Sequence, residues 1–280
     1  MRSLRARIGQ GPPLILPGVN DALSARMAAQ AGFEGICVGG SGLSATQLGL
    51  PDLGLQSFGE YRDAVARVLE ACPLPVMVDG ENGFGDVKAV TRTVRAFERM
   101  GVSAIAFEDL VFPPRIGRPP AVIPLEEITG KLKAALAART EGDMLIVGRT
   151  DAAQAGDLEE ALRRARRFEE IGADAVLLIG LTDLDGMQRL RDTVRIPLIA
   201  IVVEDGPWIA PSPEEIARIG FEVAIYPATL LLRAVTAIRE GLAAIRTGST
   251  GLPPGSVGYR DLASVLGMAD WARIDGPPPG

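Results

Sequence analysis

Residues 76–85 read VMVDGENGFG, a short apolar run that ends in acidic residues and glycines. Continuous apolar residues are typical of a parallel strand that is buried on both faces. The glycines that follow predict a turn, and residues 86–100 have the spacing of an amphipathic helix. A strand at 75–79, a turn and a helix at 86–100 together make one strand–helix unit of an α/β fold.

Eight such units follow one another along the chain. The predicted strands cover residues 14–19, 35–39, 75–79, 104–108, 144–149, 175–179, 197–203 and 223–226. The predicted helices cover residues 21–31, 57–71, 86–100, 125–138, 158–171, 184–192, 213–219 and 230–246. Such units form either a closed (β/α)8 TIM barrel or a doubly wound open sheet. Eight units within about 230 residues favour the barrel, which typically needs about 250, so we assign residues 1–247 to a barrel catalytic domain.

The chain changes character after Arg246. Residues 247–258 are rich in glycine, proline, serine and threonine and are typical of a linker. Residues 259–274 predict a short helix that ends near Trp271, and the final GPPPG, residues 276–280, is expected to be disordered. We therefore separate residues 248–280 as a C-terminal extension, whose apolar side chains need a surface on this barrel or on a neighbouring subunit.

Composition excludes several classes of function. The 280 residues carry a net charge of −6 and show no basic stripe, so nucleic acid is not an expected partner. No apolar run approaches ~18 residues, so no membrane span is expected. The two cysteines predict buried free thiols in a reducing cytoplasm. The chain contains no histidine, which leaves acid–base chemistry to carboxylates, lysine, tyrosine, cysteine or a metal-bound water.

Acidic residues stand near the carboxyl ends of the predicted strands, where barrels place active sites. Asp79 ends the third strand and Glu81 follows it, Glu108 ends the fourth, and Asp52 lies in the loop after the second. Carboxylates that lie close together repel one another, and a hard divalent cation such as Mg2+ removes the conflict. Each acid alone could instead cap a helix or bind loop amides, but several at one edge favour a metal site.

Arg149 ends the fifth predicted strand and supplies a planar fork for a substrate carboxylate. A metal and an arginine together describe a site for a 2-oxo acid, in which an enolate would be stabilised. The glycine-rich segment around Ser41 and Gly42 could bind an anion through its backbone amides, or it could form only a tight turn.

These residues lie in motifs that resemble those of the isocitrate lyase/phosphoenolpyruvate mutase superfamily. The resemblance extends from residue 14 to residue 246 and is carried by LILPGVNDALSARMAAQAGF, GGSGLSATQLGLPD, VMVDGENGFG, AFEDLVFPPRIGR and VGRTDA. It implies a (β/α)8 barrel, a Mg2+ or Mn2+ cofactor, and 2-oxo acid chemistry at a C–C or C–P bond. It also implies a homotetramer (or a homodimer) in which the eighth helix is exchanged between neighbouring barrels.

The resemblance assigns roles to individual residues. Asp79 matches the family's direct metal ligand, and Asp52, Glu81 and Glu108 match acids that hold the metal through water. Arg149 matches the arginine that binds the substrate carboxylate. The segment whose amides and hydroxyl hold the substrate oxygens matches Ser41, Gly42 and Leu43.

Departures from the family pattern narrow the expected reaction. The third-strand motif usually reads Asp-Ala-Asp-Thr-Gly-Tyr-Gly, whereas Glu81 here keeps the charge on a longer arm. Isocitrate and methylisocitrate lyases carry Lys-Lys-Cys-Gly-His after strand 4, whereas residues 114–118 read PRIGR, with Ile116 in place of the cysteine. Neither of those cleavages is expected, and the Lys and Asn of a phosphonomutase loop are missing too. The loop is most similar to the oxaloacetate decarboxylase branch, although Tyr226 stands where that branch carries a histidine.

The first functional hypothesis is therefore a Mg2+-dependent carbon–carbon lyase that decarboxylates oxaloacetate or a related 2-oxo dicarboxylate. Its candidate catalytic residues are Arg149, Asp52, Glu108 and Tyr226. Tyr226 would donate the proton, although a structural tyrosine at the barrel rim is the alternative.

Two other hypotheses remain open. One is retro-aldol or hydrolytic cleavage of a larger, acyl-pyruvate-like 2-oxo acid. Small or apolar loop residues would leave room for it, namely Ile116, Pro119, Pro120 and Ala121. The other is a barrel without catalysis that binds a metabolite.

Overall fold

Eight parallel strands pair into one sheet that closes on itself. The computed structural model describes residues 3–114, 116–140, 142–249 and 251–275. The strands are β1 (Leu14–Pro17), β2 (Ile36–Val38), β3 (Val76–Asp79), β4 (Ala104–Glu108), β5 (Leu145–Thr150), β6 (Ala175–Leu178), β7 (Leu198–Ile201) and β8 (Val223–Tyr226). They pair in the order β1-β8-β7-β6-β5-β4-β3-β2, and the Val19 amide donates to the Cys37 carbonyl at 2.9 Å across the remaining seam. The predicted barrel is confirmed, and the doubly wound alternative is wrong.

A helix follows every strand, as predicted. The helices are α1 (Leu4–Arg7), α2 (Ala22–Gln30), α3 (Gly40–Leu43), α4 (Phe58–Ala71), α5 (Val87–Met100), α6 (Leu125–Ala138), α7 (Leu158–Glu170), α8 (Leu184–Thr193), α9 (Pro213–Ile219), α10 (Thr229–Arg246), α11 (Tyr259–Val265) and α12 (Met268–Asp275). The short helices α1 and α3 were not predicted. A π-helical turn, Ser44–Leu48, continues α3 where the glycine-rich sequence indicated a loop.

Alternation along the strands divides the core into two layers. Successive side chains of a strand point to opposite faces, so Val76 and Val78 of β3 pack towards the helices while Met77 packs inside the barrel. The inside layer is apolar over most of its height, and its members on the strands include Leu14, Leu16, Cys37, Met77, Ala104, Ala106, Leu145, Val147, Ala175, Leu177, Ile199, Val223 and Ile225. The same alternation turns Asp79, Glu108 and Arg149 inward at the carboxyl ends of β3, β4 and β5.

Helix α10 departs from the packing of the other long helices. None of its residues is buried, and its exposed large apolar side chains are Leu232, Val235, Ile238, Leu242 and Ile245. A groove of about 690 Å³ lies beside β1, α2 and β8, and its lining includes Ile15, Met27, Phe33, Tyr226 and Leu230. Barrel helices normally form a continuous outer ring, so this groove is the place in the ring that α10 leaves open.

One helix of the C-terminal extension, α11, contacts α2 of its own barrel, while Trp271 on α12 remains exposed. The side chain of Gln30 on α2 donates to the Val265 carbonyl at 2.9 Å. The predicted single helix ending near Trp271 is wrong in extent, because Gly267 adopts a φ of +75° and separates α11 from α12. The expectation of disorder for residues 276–280 lies outside the described residues.

Both cysteines are buried free thiols, as predicted. Burial, followed by the negative charge of Asp79, raises the pKa of Cys37 to about 12. Within the described part of the chain, no helix combines the length and the apolarity that a membrane crossing requires.

Candidate active site

Three inward-facing side chains meet at the carboxyl ends of β3, β4 and β5. Arg149 Nη1 lies 2.7 Å from Asp79 Oδ2, and Arg149 Nη2 lies 2.9 Å from Glu108 Oε2. Glu108 pairs in register with Arg149 across the β4–β5 ladder, which fixes these two side chains side by side. The structure therefore brings together three of the residues that the sequence singled out.

Asp151 completes the ring of acids around Arg149. Its two oxygens accept hydrogen bonds from Nε at 3.0 Å and from Nη2 at 3.1 Å. Burial alone would lower the pKa of Arg149, but the charges of Asp151, Glu108 and Asp79 hold it well above its usual range. The guanidinium is thus permanently charged and faces acids on every side of its fork.

Glu81 reaches the same place from the turn after β3. Its φ of +52° is unusual for a residue that is not glycine, and its amide donates to Asp79 Oδ1 at 3.0 Å. Its carboxylate packs against Gly40, where a β-carbon would lie 1.6 Å from Glu81 Oε1. The longer arm of Glu81, compared with the aspartate of the family motif, therefore extends to the start of α3.

The pKa values of several acids at this site are raised, so these acids resist ionisation. Burial raises the pKa of Glu108 to about 8, with Arg149 opposing and Asp79 adding to the shift. Burial and the charges of Asp79 and Glu108 hold the pKa of Glu81 well above its usual range. Desolvation and Asp79 also raise the pKa of Asp52, which lies at the exposed rim. The site contains more carboxyl groups than the single charge of Arg149 can neutralise.

The predicted substrate segment lies on α3, close to the acids. Gly42 and Leu43 are buried and Ser41 is exposed. The Leu43 amide donates to the Gly39 carbonyl at 3.2 Å, so that donor is used within the helix. A β-carbon on Gly42 would lie 2.0 Å from Asn20 Oδ1, which explains the glycine at this position.

Tyr226 is not brought together with the acids. It follows the inward-facing Ile225 on β8 and therefore points to the opposite side of the strand, where it lines the groove beside α10. Burial and the charges of Glu204 and Glu214 raise its pKa. Its placement agrees with the structural role that the sequence left open as an alternative.

Three further polar residues were missed from the sequence. Lys131 on α6 is buried, and its Nζ donates to the Asn82 carbonyl at 3.0 Å, which ties down the turn after β3. Arg164 on α7 is buried and pairs with Asp109 Oδ2 at 2.8 Å. A charged residue within the apolar stripe of a predicted helix would have revealed both. Gln56 gave no such signal; both polar atoms of its amide are buried without a hydrogen-bond partner among the described residues.

The donor set fits a hard divalent cation in kind. Its ligands are oxygens, which Mg2+ prefers, and its acids outnumber its single arginine. Within the described residues, no three carboxylates or thiols stand as a ready-made cage, since Arg149 lies between Asp79, Glu108 and Asp151. The buried Gln56 amide lies beside Asp52 and Glu81 and has no hydrogen-bond partner among the described residues, so it could bind a water molecule or a ligand.

Comparison with known proteins identifies the family. The family model described as phosphoenolpyruvate phosphomutase matches residues 4–246. A 2-methylisocitrate lyase from Shewanella oneidensis is 35% identical over 225 residues, which are 80% of this chain and 77% of that protein. An oxaloacetate decarboxylase from Pseudomonas putida is 33% identical over 224 residues, 80% of this chain and 76% of that protein.

A solved structure agrees with these relatives. Phosphonopyruvate hydrolase in complex with oxalate and Mg2+ superimposes with a TM-score of 0.86 at 27% identity, over 98% of this chain and 97% of that one. The match to the family model covers all eight strands and the ends of β3, β4 and β5 where the acids stand. The resemblance found in the sequence motifs is thus confirmed: the chain is an enzyme of the phosphoenolpyruvate phosphomutase family, within the isocitrate lyase/phosphoenolpyruvate mutase superfamily.

Proposed function

We propose that this enzyme is a Mg2+-dependent (or Mn2+-dependent) carbon–carbon lyase that acts on a small 2-oxo acid, with decarboxylation of oxaloacetate as its first candidate reaction. The observation that carries the proposal is the inward convergence of Asp79, Glu108 and Arg149 at the barrel mouth. The similarity to an oxaloacetate decarboxylase supports the choice of substrate.

Carboxylates would hold the cation. Asp79 is the proposed direct ligand, and Glu81, Glu108 and Asp52 are proposed to bind its water molecules. When bound, the cation would polarise the 2-oxo group and stabilise the enolate that remains after CO2 leaves. The positive charge of the cation would also oppose the burial and the neighbouring negative charges that raise the pKa values of Glu81 and Glu108.

Arg149 would bind the substrate carboxylate. Its fork is occupied by Asp79, Glu108 and Asp151 in this structure, so the substrate must replace at least one of these partners. Asp151 would then keep the guanidinium plane in place through its two hydrogen bonds. We propose that Ser41, Gly42 and Leu43 line the side of the substrate opposite Arg149, as the family motif implies.

The loop after β4 supports decarboxylation over the isocitrate type of cleavage. Ile116 stands at the position of the catalytic cysteine and is 82% exposed, and its side chain carries no acid. Loss of CO2 needs no protein acid in its first step, and water can protonate the enolate afterwards. The outward placement of Tyr226 agrees with a proton that comes from solvent.

A larger 2-oxo acid is the second candidate substrate, favoured by a cavity under the same loop. The cavity has a volume of about 420 Å³, and its lining includes Leu110, Val111, Pro119, Pro120 and Ala121. The apolar part of this lining would suit an alkyl or acyl substituent, and Arg118 and Gln154, which also line the cavity, could bind a polar group at its end. A retro-aldol or hydrolytic cleavage would use the same enolate-stabilising groups. The similarity to a phosphonopyruvate hydrolase agrees with a hydrolytic variant.

Pyruvate release from oxaloacetate tests the function directly. We expect turnover with Mg2+ above that of free Mg2+, loss of turnover with a chelator and with Asp79→Ala, and nearly unchanged turnover with Tyr226→Phe. The Tyr226 variant is a matched control because its hydroxyl lies outside the barrel. Turnover that survives a chelator would contradict the metal role. Turnover only of larger acyl-substituted 2-oxo acids would replace the first substrate by the second.

We further propose that the enzyme is a homotetramer (or a homodimer) in which α10 of one copy fills the open groove of another. The exposed apolar side of α10 and the apolar groove beside β1 and β8 are complementary in kind. Sedimentation should give a multiple of the 29.5 kDa chain mass, and Leu242→Glu should reduce it, whereas Ile116→Glu on the β4 loop should not. A monomeric wild type would contradict the exchange.

The two free thiols agree with a cytoplasmic location.

A further inference from the structure

A small, partly open cavity lies directly beside the acids. Its volume is about 10 Å³, which is about the room that one water molecule needs. Its polar lining includes Asp52, Gln56 and Glu81, and its apolar walls include Phe84 and Phe112. Two of the carboxylates proposed to bind metal-held water therefore share this cavity with an amide side chain.

Gln56 is fixed in this position by the chain on both sides. Ser57 follows it and begins α4 with a capping box, in which the Ser57 amide donates to Glu60 Oε2 at 2.8 Å. On the other side, the Phe112 ring packs over Gly54, where a β-carbon would lie 2.4 Å from the ring. The side-chain amide of Gln56 thus lies against aromatic walls and cannot easily rotate towards solvent.

The amide of Gln56 has no protein partner. Its Nε2 and Oε1 are both buried and without a hydrogen bond among the described residues. Buried amides are nearly always hydrogen-bonded, and this one can donate and accept at the same time. The carboxylate of Glu81 has no hydrogen bond or ion pair with the described residues either, although neighbouring charges act on it. A hydrated cation would supply partners to both.

We propose that Gln56 is a positioning residue of the cation site: it holds, through its amide, a water molecule of the hydration shell that Asp52 and Glu81 share around a bound Mg2+. Mg2+ keeps several of its waters and is held largely through them, so a fixed amide next to two outer carboxylates orients that shell. The inference rests on the proposed function in one respect, namely that the site binds a divalent cation.

Calorimetric titration with Mg2+ tests the role without any turnover. Outer groups that orient a metal site typically contribute about 10- to 100-fold in affinity, so we expect the Kd of Gln56→Leu to rise by about that factor. The metal-free variant should melt at or above the temperature of the wild type, because an unpartnered polar group has been removed. Gln56→Met gives the same comparison if the leucine variant does not fold.

Thr129→Val is the matched control. The Thr129 hydroxyl on α6 is also buried without a partner but does not line the cavity, so its removal should leave the Kd unchanged. A Kd of Gln56→Leu within twofold of the wild type, or an equal weakening by Thr129→Val, would overturn the inference alone. A wild type that binds neither Mg2+ nor Mn2+ would instead overturn the metal part of the proposed function, and the inference with it.

Discussion

Glu108 and Asp109 are neighbouring carboxylic acids in the chain, yet their side chains lie in different parts of the molecule. Glu108 faces into the barrel, where burial raises its pKa to about 8. Asp109 is fully buried on the opposite side, where it accepts hydrogen bonds from Arg164 Nη1 at 2.8 Å and from the Asp151 amide at 2.9 Å. One residue along the chain thus separates Glu108, which shares Arg149 with other acids, from Asp109, whose charge is balanced by Arg164.

The difference between the two lies in their partners rather than in their depth. Arg164 forms ion pairs with Asp109 and Glu160 and also donates a hydrogen bond to the Ile123 carbonyl at 2.8 Å. The charged groups around Arg164 therefore all have partners within the protein. Arg149 is shared among Asp79, Glu108 and Asp151, with Glu81 beside them. Removing one partner of a matched buried pair leaves an uncompensated charge inside the fold, whereas a group of acids with too little positive charge around it is suited to bind a cation.

Breaking the matched pair should have the largest effect. Asp109→Ala leaves Arg164 buried with only Glu160 as a charged partner, and we expect unfolding to become about 3–5 kcal/mol easier. Denaturant melts of the metal-free protein measure the loss. The double variant Asp109→Leu with Arg164→Met should recover part of it, because both charges are then removed. Equal stability of Asp109→Ala and wild type would erase the contrast between the two carboxylates.

Glu108→Gln should do the opposite, with a smaller effect. Because burial already raises the pKa of Glu108 to about 8, its side chain is largely protonated at neutral pH, so a neutral amide should leave the metal-free protein as stable as the wild type or more so. Its kcat/KM for the 2-oxo acid should fall by about 10- to 100-fold, since an acid that orients the metal waters is lost. The same denaturant melts and a turnover assay decide the matter. A destabilised variant with normal turnover would place Glu108 with Asp109 in the fold.

The pH dependence of stability should show the smallest effect, a shift of a few degrees in Tm. Glu108 ionises near its ordinary pKa of 4.5 in the unfolded chain and only at about 8 in the metal-free fold. The fold therefore binds a proton that the unfolded chain has released, so stability falls as the pH rises from about 5 to 8. Glu81 acts in the same direction.

Thermal melts at pH 6 and 8 check this slope. The chain has no histidine, so few other groups titrate in the window. Glu108→Gln should flatten the slope, and saturating Mg2+ should reverse it, because carboxylates bind the cation in their ionised form. A metal-free Tm that rises with pH would mean that the acids are matched after all.

The sequence predicted the barrel because hydrophobic periodicity is local and was repeated eight times. It also predicted that acids stand at strand ends, and the family resemblance gave Glu108 its role. That Glu108 faces inward while Asp109 pairs with Arg164 was learned only from the structure. The sequence predicted that Arg149 shares one site with these acids, but not that its guanidinium would pair directly with Asp79, Glu108 and Asp151, because that depends on side-chain distances across three strands. Gln56 was missed for the same kind of reason: its amide is buried without a partner in a cavity whose lining includes Phe112 from a distant loop, and no local sequence pattern reveals that arrangement.

The absence of a side chain at residue 40 determines where the Glu81 carboxylate can lie. A β-carbon at this position would lie 1.6 Å from Glu81 Oε1. Because Oε1 is the far end of a flexible side chain, the carboxylate could rotate away from a larger residue at position 40, but it would then leave the place beside α3 that it occupies now. A substitution at position 40 would therefore change the candidate cation site by moving one of its acids, without altering any acid in the sequence.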